Sequence, residues 1–332
     1  MPVSKRRIGS GLIAVSCVAV LALWPPGARG AETVGMITEM RNGGGRIEVR
    51  AAGGGAWRPA APLQALRPGD AVRASASAWA VLVLSGGRGN VKVDAAGSPF
   101  MVPAPPPGGG KAQKALGLLE SSFSYLSAGA KEPLQAVLST RGAARPPVIL
   151  SPRNGPVLPE SLTFEWLGSR FSRYTIRLAG PAGAVVERAG VVGARFDYPP
   201  DAPSLSAGVR YTVQVVGVNH PPQEAWFEVA DPTRAQAVRR DLAELGQALG
   251  PTASPNTVAA LRAGFLAGNG LMHDARLVLI AALAKDPDEP TLHLLLANLY
   301  SRTGLPDLAA ESYDEAQFLM GRGAAEPPSE KR

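Results

Sequence analysis

Hydrophobic and polar positions along the chain follow two periods in turn. From residue 33 to about 103 they alternate by two or form short apolar runs: GRIEVR sets Ile47 and Val49 between charged neighbours, WAVLVL (79–84) is continuously apolar, and NVKVD alternates again. This predicts short strands, with Pro68-Gly69 in LRPGDAVR forming a type II turn. From Pro147 to about Asp231 a second strand pattern runs through VIL, LTFEW, YTIRL, AVVE, RFDY, VRYTVQVVGV and AWFEV. Seven short strands in about 85 residues, with regular turn signals, predict a β-sandwich. From Pro232 onward the period becomes helical. Asp231-Pro232 and Ser254-Pro255 each offer a cap followed by proline in the first turn, and Val238, Leu242, Leu245 and Leu249 make one apolar stripe.

Two segments stand apart. PAPPPGGGK (103–111) reads as a linker or exposed loop. Its Gly-Gly-Gly-Lys is not a phosphate loop, because Pro105 stands where that motif needs glycine and Ala112 where it needs Ser or Thr. ALGLLESSFSYLSAG (115–129) fits helix and strand equally well.

The helical part repeats itself. Ala263, Gly270, Ala275, Leu279, Ala282 and Pro287 recur 34 residues later as Ala297, Gly304, Ala309, Tyr313, Ala316 and Gly321. Small residues let helices cross closely, the glycines make the turns, and Leu279 and Tyr313 fill the space between helices. This period and order resemble the tetratricopeptide repeat. Two copies are fewer than the three usually needed for a stable stack, so helix 232–249 is expected to act as a cap and the sandwich to cover the other open face.

The β regions carry resemblances too. The order VGMITEM, IEVR, a Trp, L-x-PGDAVR, WAVLVLSGG and VKV resembles the FecR-like periplasmic domain, reaching to LQAVLSTRG (134–142). Regulators of that family carry a sigma-factor-binding segment before a membrane span; here seven residues precede the first apolar stretch. Trp166 at the end of an early strand, and LSAGVRYTVQVVG (205–217), resemble a fibronectin type III domain with its tyrosine corner. That resemblance implies that Tyr211 hydrogen-bonds back across its turn, with Val213 and Val215 pointing inward.

The fold expected is therefore multidomain. An N-terminal all-β FecR-like domain (31–145, including the loop 103–111) is followed by a central fibronectin type III-like sandwich (147–231). C-terminal α-helical tetratricopeptide-like hairpins (232–320) and a disordered tail (321–332) complete it. Residues 1–30 read as a signal peptide: Lys5, Arg6 and Arg7 precede an apolar stretch from Ile8 to Trp24, and Ala28 and Gly30 offer a cleavage site before Ala31. This predicts a periplasmic or cell-surface protein with no stable membrane span after cleavage.

Cleavage changes composition. Cys17 is the single cysteine, so the remaining chain has no disulfide and is held by ordinary cores. Residues 1–30 hold four of the 34 basic residues and no acidic ones, leaving 30 against 27 acidic, a net charge of +3. So mild an excess does not point to nucleic acid.

Catalytic signals are sparse. His220, His273 and His293 have no metal-ligand spacing, no Gly-x-Ser-x-Gly elbow occurs, and Asp286, Asp288 and Glu289 read as solvated charges in an interhelical loop. The expectation is a chain that is not an enzyme and has no cofactor: an exported scaffold or adaptor for an envelope protein or peptide. A FecR-type envelope sensor and a carbohydrate- or peptidoglycan-binding module, stacking sugar on Trp57 or Trp79, are the alternatives. In tetratricopeptide arrays the first helix of each repeat lines a concave face. Carried over, this implies Leu294, Asn298, Ser301 and Arg302 as partner-binding residues, with the small Ala260, Gly264 and Ala267 leaving room for a bulky ligand side chain but supplying no polar grip. Asn298 would hydrogen-bond a peptide backbone and Arg302 would pair with a carboxylate.

Overall fold

The computed structural model describes residues 33–85, 89–105, 111–129, 147–160 and 162–321. The proposed leader, the centre of the Pro/Gly loop, the LQAVLSTRG segment and the tail lie outside the described residues.

A β-rich N-terminal region with several antiparallel sheets is followed, towards the C-terminus, by a helical region. The chain opens with β1 (Gly35–Arg41), β2 (Ile47–Arg50), β3 (Arg58–Pro59), β4 (Ala65–Leu66), β5 (Ala71–Ala74), β6 (Trp79–Leu84), β7 (Asn90–Val93) and β8 (Phe100–Met101). They form two four-stranded sheets, β4-β1-β6-β7 and β3-β2-β5-β8. Ile37, Leu66, Val72 and Leu82 fill the core between them. The turn into β5 is tight, with the Asp70 N–H donating to the Arg67 carbonyl at 3.1 Å and Gly69 at φ +84.

Strand β1 is buried on both faces, by the helices on one side and the sheet core on the other, and a bulge decides which residues face the helices. Ile37 pairs with Leu82 and Glu39 with Val81, so Thr38 is an extra residue. Strict alternation would send Thr38 and Glu39 to opposite sides; the bulge turns both towards the helical region. Met36 joins them there, while Ile37 and Met40 face the sheet core.

Residues left open by periodicity form a helix, α1 (Lys111–Gly129). Leu118, Leu119, Phe123 and Leu126 make its buried face. Next come β9 (Val148–Ser151), β10 (Gly155–Val157), β11 (Thr163–Leu167), β12 (Arg173–Gly180), β13 (Gly183–Val192), β14 (Arg195–Asp197), β15 (Arg210–Gly217) and β16 (Gln223–Val229). A five-stranded sheet, β10-β16-β15-β12-β13, and a three-stranded sheet, β14-β11-β9, enclose Phe164, Trp166, Val213, Val215 and Phe227. Strand β10 is an addition to the seven expected and pairs in parallel with β16. The Tyr211 hydroxyl accepts from the Ser206 N–H at 2.8 Å, across the turn that leads into β15.

Five helices follow: α2 (Pro232–Leu249), α3 (Pro255–Gly268), α4 (Met272–Leu283), α5 (Pro290–Arg302) and α6 (Pro306–Gly321). Asp231 caps α2 by accepting from the Arg234 N–H at 2.9 Å, and Ser254 caps α3 through the Thr257 N–H at 3.0 Å. Gly270 and Gly304 take φ +79 and +77 at the two interhelical turns. Helix α2 lays Val238, Leu242, Leu245 and Leu249 on the helical core.

The described residues from Thr33 onward form one compact unit. The helical core takes in Met36 and Val83 of the N-terminal sheets, α1, and the part-buried Val148, Leu150 and Leu158 of the sandwich. Both β regions therefore cover the helices. Among the described residues, no helix is long and apolar enough to cross a membrane.

Candidate functional site

The face that the repeat resemblance assigns to a partner belongs to α3 and α5. On α3, Ala260 is fully buried and Ala267 nearly so. At Gly264 an added Cβ would stand 2.9 Å from Leu126 Cγ and Cδ2. At Gly268 it would stand 3.7 Å from the Tyr125 Cβ. The room left by these small residues is thus taken by bulky side chains, and they belong to the chain's own α1.

Of the four residues expected to bind a partner, Leu294 is buried in the helical core. Asn298 is half-buried, whereas Ser301 and Arg302 are exposed. The Arg302 guanidinium lies over the Tyr125 ring, 4.9 Å from its centroid. Tyr125 Oη sits 3.8 Å from Met272 Sδ. Burial pushes the Tyr125 hydroxyl above its ordinary pKa, against the opposing field of Arg302. Sequence reasoning missed α1 as the occupant of this face. Leu119, Phe123 and Leu126 do recur at helical spacing, but the segment's apolar runs fit a strand as well, so the sequence alone did not decide it.

Two polar layers fix the helices between the β regions. In the first, Glu39 accepts from the Thr257 N–H at 3.1 Å and also from the hydroxyls of Ser254 and Thr257, while the Thr38 and Thr257 hydroxyls lie 2.9 Å apart. Arg41 Nη2 donates to both oxygens of Asp286 at 2.7 and 2.6 Å, and its Nη1 donates to the Asp288 carbonyl. Glu289, which caps α5 through the Thr291 N–H, is fully buried, with Oε2 3.6 Å from the Arg41 guanidinium. The solvated reading of this loop is therefore corrected for Glu289. Burial raises its pKa to about 7, Arg41 and hydrogen bonds with Thr291 pull it down, and the neighbouring Glu39 pushes it up again. A cavity of about 330 Å³ adjoins this layer, lined by Arg41, Asn42, Asp286 and Asp288 among others.

The second layer joins α4 to the sandwich. The buried Arg276 pairs with Glu165 and lies 3.4 Å from the Tyr300 hydroxyl. His273 Nδ1 shares a hydrogen bond with Ser151 Oγ, and Asp274 accepts from the Leu158 N–H at 3.2 Å. Burial, seconded by Arg276, lowers the His273 pKa to about 4 and keeps the ring neutral. Burial raises that of Asp274 to about 6. Among the described residues no three His, Cys, Asp or Glu side chains come together as a metal site.

Two further places hold chemistry. A hollow of about 730 Å³ at one end of the sandwich is lined by Tyr198, Pro199, Arg195 and Asp197, but its charges are already paired, Arg195 to Asp197 at 2.9 Å. Trp57 and Trp79 are half-buried, and both lie under cations. Arg50 and Arg73 sit 4.7 and 4.2 Å from the centroid of Trp57, and Lys92 sits 4.7 Å from that of Trp79.

Comparison with known proteins adds little to this geometry. No protein-family model matches the chain, and no curated protein does. A solved structure, that of a β-1,2-glucanase from Parabacteroides distasonis, is similar over 88% of this chain and 50% of its own, with 10% identity and a TM-score of 0.23. The chain thus spans about half the length of that enzyme. The expectation that this chain is not an enzyme finds no support here, since the structural neighbour is itself an enzyme. At so low a TM-score the likeness carries no argument about fold, substrate or catalysis.

Proposed function

We propose that this chain is an exported scaffold or adaptor of the bacterial cell envelope, whose helical hairpins hold a protein or peptide segment. The observation that carries this reading is the seat of α1. A face of small residues on α3 receives Leu126 and Tyr125 against its backbone. This seat, filled by the chain's own α1, supports hairpins built to hold a segment, and what it leaves for a partner is the polar rim beside it, Asn298, Ser301 and Arg302.

Finer resemblances belong to the same proposal. The repeat of 34 residues, with both turn glycines in the left-handed region, supports tetratricopeptide-like hairpins. Facing sheets of five and three strands, with the Tyr211–Ser206 bond, support a fibronectin type III-like sandwich. The paired four-stranded sheets and the Pro68-Gly69 turn support a FecR-like domain. Export through residues 1–30 gives the location.

The test is photo-crosslinking from position 301 in envelope extract, with and without the double change Asn298→Ala and Arg302→Ala. Loss of a captured partner in the variant, at unchanged melting temperature, is the expected result. Capture at equal yield in both would remove the rim from the binding site.

A further inference from the structure

The outward face of the β3-β2-β5-β8 sheet carries an arrangement that nothing described so far uses. In β2, Ile47 and Val49 point into the core while Glu48 and Arg50 point out. Glu48 stands opposite Arg73 of β5, and the pairing of Val49 with Arg58 of β3 brings the preceding residue, Trp57, alongside Arg50. Trp57, Arg50, Arg73 and Glu48 therefore share one outer face.

The two arginines on Trp57 are in different states. Arg73 uses Nε and Nη2 on the same Glu48 oxygen, at 2.8 and 2.7 Å, so that edge of its guanidinium is occupied. Arg50 is half-buried, sits over the indole and has no acceptor for its side chain among the described residues. Contact with a ring uses the flat face of a guanidinium and leaves its in-plane N–H groups free. The result is a guanidinium already held in place, with its donors open. Arg58, exposed on the edge strand, likewise lacks a carboxylate partner among the described residues. Asp70 does not cancel this charge: it is buried, and its two oxygens accept from the N–H groups of Ala52 and Arg67 at 2.9 and 2.8 Å.

We propose that this face binds an acidic polysaccharide, with Arg50 forking a ring carboxylate and Trp57 holding Arg50 in place and lining the site with apolar surface. A planar fork matches a planar carboxylate in two parallel hydrogen bonds. The ligand is a glycan rather than nucleic acid because duplex binding draws its strength from neutralising many phosphates. Here two unpaired arginines stand beside a charge pair, Arg73–Glu48, that cancels itself.

Isothermal titration of the chain lacking residues 1–30 tests the proposal, with octagalacturonate as probe and maltooctaose as its neutral counterpart. The acidic oligomer binds, more weakly as salt rises, and the neutral one does not. Arg50→Gln weakens binding by about ten- to a hundredfold, and Trp57→Leu weakens it comparably by releasing Arg50. Arg50→Lys, which keeps charge but not the fork, recovers only a minor part. The exposed Arg239→Gln leaves binding unchanged. The proposal is overturned by any of four results: no binding of octagalacturonate, equal binding of maltooctaose, full affinity in Arg50→Gln, or tighter binding of duplex DNA or phosphatidylglycerol vesicles. Should Arg50→Gln melt early, Arg50→Lys and Trp57→Leu decide the matter in the same way.

Discussion

Leu126 of α1 fills the space where a side chain on Gly264 of α3 would begin, with its Cγ and Cδ2 2.9 Å from that point. Gly264→Ala should therefore push α1 outward. Overpacking of this kind costs about 1–3 kcal/mol, against a gain of about 1 kcal/mol from replacing a helical glycine. A small net loss of melting temperature is the expected outcome. Leu126→Ala should cost about 2–5 kcal/mol by leaving a cavity. In the double variant the added methyl enters that cavity, so Gly264→Ala turns stabilising. Purely additive losses in the full cycle would show that the two residues do not meet.

Glu289 makes the fold sensitive to pH. Its folded pKa of about 7 lies above the ordinary 4.5, so the folded state binds the proton more tightly. The stability linked to it is fully present below about pH 4.5 and is lost as pH rises through 7. His273 works the other way: with a folded pKa of about 4, it favours the folded state above pH 6.5 and less so as pH falls. Glu289→Gln keeps the hydrogen-bonding shape and removes the ionisation. It should melt above the wild type at pH 8, by up to about 3 kcal/mol, and the difference should shrink towards pH 5. A pH-independent difference would contradict the assignment.

Arg276 is the charged link between α4 and the sandwich. Arg276→Ala leaves the partly buried Glu165 with Arg195 at 3.7 Å as its remaining ion-pair partner and opens space beside Tyr300. Removing one member of such a pair should cost about 3 kcal/mol. Limited proteolysis should then cut between sandwich and helices at lower temperature than in wild type. An unchanged cleavage pattern would mean that the apolar contacts of Val148, Leu150 and Leu158 suffice.

Tyr211→Phe removes the acceptor for the Ser206 N–H. Ser206 is exposed, so water can replace the lost partner, and the cost should be near the low end for a hydrogen bond, about 0.5–1.5 kcal/mol. Thermal unfolding measures it. A loss above about 3 kcal/mol would indicate that the hydroxyl supports more than this one bond.

Elements with a strong local signal were legible in the sequence. WAVLVL, the α2 stripe, the Ser254 and Asp231 caps and the Gly270 and Gly304 turns each depend on a few neighbouring residues, and each is present. What sequence could not give was placement. The 115–129 segment has short apolar runs that serve either period, and only its seat on Gly264 and Gly268 decides for helix. Strand β10 is three residues long with a central proline, too short for any period to register. The inward turn of Glu39 within VGMITEM depends on a bulge, which cannot be read from alternation. For the partner face, the small residues were read as room for a ligand's side chain; that the chain's own α1 fills it is a fact of tertiary structure.

The tie between Glu39 and Thr257 spans 218 positions, and this has a consequence for the order in which the chain matures. Synthesis proceeds from the N-terminus, so β1 exists long before α3. Through that interval Met36, Thr38 and Glu39 present an apolar and charged surface with nothing to receive it. Contacts of such long separation form slowly, since the intervening loop must close first. A ribosome stalled before Pro255 therefore releases a fragment with a bare, sticky strand face. A chaperone that shields β1 until the last helices arrive would raise the yield of the whole chain more than any aid given to α5 or α6.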